Sequence, residues 1–389
     1  MNPAIVVSAF NRPLALERLL ESLQAAEYPP GASIPLVISL DESARHQRVA
    51  QVARSFIWPF GPKEIRAREE RLGPVEHFYA CGDLTGEFGS IVFLEDDLLV
   101  SPQYYAYASQ ALEAYAGDEC VGGLSLYGLW FNSYTRQPFI PLPDAGDVFF
   151  IQAPYIQGLA FTGEQWAAFH AWRESKATQQ AVHAPFHECW GRFSGDEWFP
   201  WLARFLVASG QYFAFPRESL VTGFGDKGTH FARSTPFFQV PIQREPRAYS
   251  FPARRDCTAV YDSFFELLPD RIDRLTTSFH WLDYTVDLYA TRALENIPTP
   301  YVLTTRPCPS PIMAFGRTMR PMELNLEYGV PGREIFFCRK EDLRWDPLAE
   351  WEIFAGHSRY FGHGRGVSLR DWARVKMGEM ARRIFDFRR

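Results

Sequence analysis

The chain has 389 residues, of which 47% are hydrophobic and 16% aromatic, and it carries a formal net charge of -6. That apolar content excludes wholesale disorder and allows one large α/β domain with a smaller one beside it, while the acidic balance excludes a general nucleic-acid binder, which needs a basic face. Six scattered cysteines with no CxxC pair signal neither a zinc site nor a disulfide framework, and fit a reducing cytoplasm.

A strand is predicted almost at once, over Ala4 to Ala9, with no basic leader or long apolar span, so neither a signal peptide nor a membrane span is expected. Asn11-Arg12-Pro13 makes the turn, and Leu16, Leu19, Leu20 and Leu23 mark one face of a helix over Leu14 to Ala25. Ile34 to Leu40 reads as the second strand, ending in Asp41-Glu42-Ser43, and Gln47 to Phe56 as the second helix. A short charged segment over Glu64 to Glu70 and a helix over Val75 to Leu84 follow. Strands alternating with helices predict a parallel, doubly wound sheet.

Ser90-Ile91-Val92-Phe93-Leu94 is an apolar strand that ends in three consecutive carboxylates, Glu95, Asp96 and Asp97. Open α/β sheets bind ligands at the carboxyl ends of their strands, and hard oxygen donors there suit Mg²⁺ or Mn²⁺ carrying a diphosphate. A helix is expected from Pro102 to Tyr115, and then short apolar runs over Gly123 to Phe131 and Phe149 to Ile156 mark a substrate-side region. Helices are predicted over Gln165 to Trp172 and Phe199 to Ala208, with Gly195-Asp196-Glu197-Trp198 between them. Arg217 to Val221 reads as a strand leading into Gly223-Phe224-Gly225-Asp226-Lys227-Gly228-Thr229-His230. The periodicity weakens over Pro241 to Pro246, which sets a boundary near residue 245. Beyond it, a helix is expected over Asp273 to Leu294, short strands over Glu323 to Phe337, and a basic amphipathic helix over Leu369 to Phe387. That last helix suits either an anionic membrane surface, reached through residues 368–389, or packing on the catalytic domain.

Arg12 and Asp41 fall at strand ends on one sheet edge, where a guanidinium and a carboxylate can grip a uracil-like base. A basic, glycine-bearing loop approaches phosphate closely, so Lys227 is assigned to the diphosphate and His230 to phosphate or metal. One carboxylate then remains for base chemistry.

Val92-Phe93-Leu94-Glu95-Asp96-Asp97-Leu98 with Ser101-Pro102 and Tyr104-Tyr105, together with Phe224-Gly225-Asp226-Lys227-Gly228-Thr229-His230, resembles the inverting GT-A glycosyltransferases. Within them the likeness is to the eukaryotic β-1,2-N-acetylglucosaminyltransferases of N-glycan and O-mannose synthesis, over roughly Ala4 to Phe238. The resemblance implies a GT-A α/β fold with a mostly parallel sheet and helices on both faces, here as a soluble, bacterial-type relative with a mixed carboxyl-terminal accessory region. It implies Mn²⁺ or Mg²⁺ on Asp97, donor contacts from Glu95 and Asp96, a uracil site at Arg12 and Asp41, and a nucleotide-proximal His77. The family's base is an aspartate in a Trp-Asp-Asp-Trp-like stretch, which here becomes Ser194-Gly195-Asp196-Glu197-Trp198, so Asp196 is the assigned base and Glu197 the reserve.

The expected organisation is a catalytic domain over 1–245, with a nucleotide-sugar half at 1–120 and an acceptor half at 121–245, and an accessory region over 246–389. The expected activity moves a sugar, GlcNAc among the candidates, from a UDP-sugar to a glycan or lipid-linked hydroxyl. A nucleotidyltransferase of related fold is the first alternative, although Ala9-Phe10-Asn11-Arg12-Pro13 lacks the glycine-rich basic signature expected after the first strand. The second is a non-catalytic carbohydrate-binding protein.

Overall fold

The computed structural model describes residues 1–175, 187, 197–226, 234–343, 347–362, 370, 373 and 377. Two compact units are present, the first comprising Met1–Trp130 with Pro143–Ser263 and the second Phe131–Leu142 with Phe264–Arg389.

Unit 1 opens with β1 (Ala4–Ala9), α1 (Pro13–Gln24), β2 (Leu36–Leu40), α2 (His46–Ser55) and β3 (Lys63–Ala67). Pro13 suits the first turn of α1, where its missing N–H would have no intrahelical partner, and the Leu16, Leu19, Leu20 and Leu23 stripe is buried. Next come α3 (Gly73–Gly82), α4 (Thr85–Phe88), β4 (Ser90–Glu95), β5 (Leu98–Val100), α5 (Tyr104–Tyr115) and β6 (Val121–Ser125). Then follow β7 (Val148–Ile151), β8 (Leu159–Thr162), α6 (Gly163–Glu174), α7 (Phe199–Ser209), β9 (Tyr212–Pro216), β10 (Val221–Gly223) and β11 (Val260–Tyr261).

The main sheet has nine strands in the order β11-β7-β9-β6-β8-β4-β1-β2-β3. Strands β3, β2, β1 and β4 run parallel, with Ala9 opposite Leu40 and Ser8 opposite Glu95. That register brings the carboxyl ends of β1, β2 and β4 to one edge, so the turns carrying Arg12, Asp41 and the acidic triplet emerge together. Strand β8 enters antiparallel between β4 and β6, pairing Phe93 with Leu159, and β6 runs parallel to β9. The result is the mostly parallel α/β sheet expected of the GT-A class, in which β8, next to the triplet-bearing strand, and β7 and β11, beyond β9, run opposite to the rest. Every residue of β2 is buried, and β4 is buried from Ser90 to Leu94, which explains their unbroken apolar reading.

Unit 2 holds α8 (Pro269–Leu275), β12 (Tyr284–Asp287), β13 (Tyr301–Thr304), β14 (Met313–Phe315), α9 (Leu324–Glu327), β15 (Ile335–Arg339) and α10 (Pro347–Phe361). Its four-stranded mixed sheet has the order β12-β13-β15-β14. A fully buried ion pair, Arg306 Nε to Asp287 Oδ2 at 2.7 Å, ties β12 to the segment after β13. Phe279 stacks on Phe337 at 4.5 Å and closes the core under β15.

Three segments differ from the sequence expectation, one of them Glu323 to Phe337, where α9 occupies Leu324–Glu327 and a strand begins only at Ile335. The helix predicted over Asp273 to Leu294 stops at Leu275, because the β-branched Thr276 and Thr277 follow and Tyr284-Thr285-Val286-Asp287 extends into β12. Of the strand placed over Arg217 to Val221, only Val221 is in a strand, the first residue of β10, and residues 217–220 form the turn from β9. The predicted terminal helix lies mostly outside the described residues, of which Arg370, Ala373 and Met377 are helical. Among the described residues no helix is long and apolar enough to cross a membrane.

Candidate functional site

The carboxyl end of β4 concentrates negative charge in a buried place. Asp96 keeps 3% of its side-chain surface exposed and Asp97 keeps 27%. Arg12, in the turn after β1, lays its guanidinium across both: Nη1 donates to Asp97 Oδ2 at 2.7 Å and Nη2 donates to Asp96 Oδ1. Burial alone would lower the guanidinium pKa, but the Asp96 and Asp97 charges outweigh it and hold Arg12 firmly protonated. One cation does not balance three carboxylates. Burial and then the Asp97 charge push Glu95 up to about 8 against the pull of Arg12, with Asp96 and Glu197 adding to the push. Burial likewise lifts Asp96 to about 6.

The end of β4 is therefore short of positive charge, and Asp96 Oδ2 is buried without a hydrogen-bond partner. Both features fit a divalent cation. Among the described residues no group of three or more His, Cys, Asp or Glu side chains could hold a metal ion alone. A cation here would take protein oxygen from Asp97, the more open of the two aspartates, and complete its shell with ligand phosphate and water, as Mg²⁺ commonly does.

Asp41 leaves the end of β2 with its carboxylate turned onto the backbone. Oδ1 accepts from the Leu72 N–H at 2.8 Å and the Glu42 N–H at 3.0 Å, and Oδ2 accepts from the Gly73 N–H at 3.0 Å. The anion thus sits at the start of α3, where helix N–H groups and the dipole favour negative charge. His77, on α3, is buried between β1 and β2: Nδ1 meets Ser8 Oγ at 3.1 Å and Nε2 meets Ser39 Oγ at 2.8 Å. Burial, opposed by Asp41 and reinforced by Arg68, lowers it to about 4, so the ring is neutral at pH 7.

Trp198 packs near the strand that bears the triplet. Its ring stacks on Phe78 at 3.8 Å and meets Phe93 edge-on at 6.4 Å, two residues before Glu95. Adjacent Glu197 acts electrostatically on Glu95. Asp196, the assigned base, lies outside the described residues, as do Lys227 and His230.

The stem of the glycine-bearing loop is described and abuts the triplet. Strand β10 pairs antiparallel with β5, setting Gly223 opposite Leu98, and the Phe224 N–H donates to the Asp97 carbonyl at 3.2 Å. Thr235 N–H donates to the Gly225 carbonyl at 2.9 Å and closes the stem. Gly225 has a φ of +67°, and a Cβ there would lie 2.0 Å from the Thr235 carbonyl oxygen, so only glycine fits. Arg18 of α1 clamps the same stem through an ion pair to Asp226 and a guanidinium placed 4.0 Å above the Phe224 ring.

Four of the sequence-assigned residues, Arg12, Glu95, Asp96 and Asp97, form one cluster, and Glu197 acts on it electrostatically. His77 packs beneath the same edge, and Asp41 lies at it with its carboxylate held by backbone N–H groups. Sequence reading missed Arg18, an unremarkable arginine on a solvated helix face, and Gln157, an isolated amide in the loop before β8 whose surroundings are wholly non-local.

Partial likenesses occur among solved structures. TarS 1–349 from S. aureus in complex with UDP-GlcNAc is 13% identical, with 56% of this chain and 60% of that one covered and a TM-score of 0.32. The mannosyltransferase PcManGT from Pyrobaculum calidifontis in complex with GDP-Man and Mn²⁺ is 17% identical, over 42% of this chain and 46% of that one, with a TM-score of 0.32. A cytidylyltransferase from Leptospira borgpetersenii is 13% identical, over 44% and 64%, with a TM-score of 0.27. The chain spans less than two thirds of the length of each. No family model and no curated protein sequence matches it.

Proposed function

We propose that this chain is a metal-dependent, inverting glycosyltransferase using a nucleotide-diphospho-sugar, with a UDP-sugar the expected donor. The observation that carries the reading is the charge-deficient end of β4, where Asp96 and Asp97 share one guanidinium, with the loop stem hydrogen-bonded to Asp97 on one side and Glu197 acting on Glu95. A divalent cation supplies the missing positive charge, and the diphosphate that accompanies it brings phosphate oxygens to complete its shell.

In this reading Asp97 holds Mn²⁺ or Mg²⁺, which when bound stabilises the charge of the departing diphosphate. Arg12 fixes the spacing of Asp96 and Asp97 and, with Asp41, forms the nucleotide end of the site. Lys227 and His230 are assigned to the diphosphate. Asp196, with Glu197 in reserve, accepts the proton of the acceptor hydroxyl as its oxygen attacks the anomeric carbon. Single displacement inverts that centre, so an α-linked donor yields a β-linked product. A glycan or lipid-linked hydroxyl is the proposed acceptor.

Calorimetric titration of UDP into the full chain tests the donor site. The reading expects binding that requires Mn²⁺ or Mg²⁺ and disappears in Asp97→Asn. Metal-independent UDP binding, equal in both proteins, refutes it.

A further inference from the structure

The loop between β7 and β8 carries an amide to the proposed reaction centre. Gly158, with a φ of +73°, turns the chain into β8, and its backbone carbonyl accepts from the Leu126 N–H at 2.9 Å. Val221 packs against this turn, its methyls 3.2 Å from where a Cβ on Gly158 would stand. The preceding residue, Gln157, is consequently held against β10. A Cβ on Gly223 would lie 2.9 Å from Gln157 Nε2, so the absence of a side chain at Gly223 makes room for the amide. Gly223 pairs with Leu98, and its neighbour Phe224 donates to the carbonyl of Asp97. The Gln157 amide therefore lies against Gly223, which pairs with Leu98, the residue after the proposed metal ligand Asp97.

Its chemistry is incomplete. Gln157 Oε1 is buried and has no hydrogen-bond partner. A buried amide oxygen left without a donor is costly, and native proteins retain one where a water, an ion or a ligand satisfies its lone pairs. Beside a diphosphate site, the next part of the ligand is the transferred sugar, which carries hydroxyls or the N–H of an acetamido substituent. Either donates to a carbonyl oxygen.

We propose that Gln157 is a sugar-reading residue, whose Oε1 accepts a hydrogen bond from a hydroxyl or acetamido N–H of the transferred sugar. Gly223 is its positioning partner. The inference rests on the glycosyltransferase reading but assigns a different part of the ligand, since it concerns the sugar and not the nucleotide. A site built around an amide discriminates against sugars lacking its partner group, because the oxygen is then buried and unpaired again.

The test compares the full chain with Gln157→Leu and Gly223→Ala, using UDP, UDP-glucose and UDP-GlcNAc with Mn²⁺. Both variants are expected to keep UDP affinity and lose about tenfold or more of kcat/KM for the preferred sugar, the scale of one hydrogen bond to a desolvated group. Discrimination between the two sugars should shrink with it. Gln157→Leu removes the unpaired oxygen, so its melting temperature without ligand should hold or rise. Equal UDP affinity with unchanged sugar kinetics in both variants overturns the role of Gln157 alone. A fall in the ligand-free melting temperature of Gln157→Leu, with sugar and UDP binding weakened in equal proportion, overturns it in favour of a packing role. Absence of metal-dependent UDP binding in the unaltered chain overturns the glycosyltransferase reading and this inference with it.

Discussion

Replacing Arg12 with Met removes one guanidinium while keeping most of its apolar stem. The wild-type fork contacts Asp96, 3% exposed, and Asp97, 27% exposed, from a side chain that is itself 28% exposed. Breaking a fully buried ion pair costs ~3–5 kcal/mol and an exposed one ~0–1 kcal/mol, so this half-open bridge falls at roughly 2–3 kcal/mol. At ~2–4 °C per kcal/mol, the melting transition of unit 1 should fall by roughly 4–12 °C in EDTA at pH 8.

The loss depends on pH in a fixed direction. Asp96 already titrates at about 6 in the folded chain, above the usual carboxylate value of 3.8, and removing Arg12 raises it further. A native carboxylate with a raised pKa binds more protons than the unfolded one, so stability falls as pH rises through that window. The deficit of Arg12→Met is therefore largest at pH 8 and shrinks towards pH 5. Mn²⁺ at about a hundred times its dissociation constant returns ~2.7 kcal/mol, close to the whole loss. Differential scanning fluorimetry with EDTA and with Mn²⁺, at both pH values, reads all three effects. An unchanged melting temperature in EDTA refutes the charge argument, and melting temperatures that Mn²⁺ raises in neither protein refute the cation site.

Three further outcomes are expected. Asp97→Asn should abolish Mn²⁺-dependent release of UDP from a UDP-sugar while melting near the wild-type temperature, and full activity after metal replenishment would remove Asp97 from the site. Asp196→Asn should lower turnover by about 10²–10⁴ with little change in UDP affinity, and Glu197→Gln should be milder; the reverse order in steady-state kinetics makes Glu197 the base. In unit 2, burial raises Glu323 from 4.5 to about 7, so its destabilising ionisation grows as pH rises from 4.5 and is complete above 7. Glu323→Gln should accordingly stabilise that unit at pH 8, by up to ~3 kcal/mol, and not at pH 4; equal melting shifts at both pH values contradict this.

The local part of the structure was legible in the sequence because periodicity and chemistry agreed. The Leu16, Leu19, Leu20, Leu23 stripe and the unbroken apolar runs of β2 and β4 report a buried helix face and buried parallel strands. The carboxylates after Leu94 stood out because nothing in a core strand calls for them. What escaped was whatever depends on distant segments. Strand β8 is four residues long, and its insertion between β4 and β6 is fixed by pairings that no local pattern carries. Arg12 was legible as a cation at a strand end, but its span across Asp96 and Asp97 required the register of β1 against β4. Gln157 gave no signal at all, since its setting depends on Gly158, Val221 and Gly223 meeting from different parts of the chain. The helix expected over Asp273 to Leu294 failed for a local reason, the β-branched run after Leu275.

The central claim is a single, metal-dependent displacement at the anomeric carbon beside Asp97. Proton NMR of the anomeric signal during the first turnovers of an α-linked UDP-sugar, with the full chain and Mn²⁺ and with water as acceptor, tests it most directly. The account predicts that the β-anomer appears first, ahead of mutarotation, and that neither anomer appears with EDTA or in Asp97→Asn. Initial release of the α-anomer, or release at the same rate in EDTA, would contradict it.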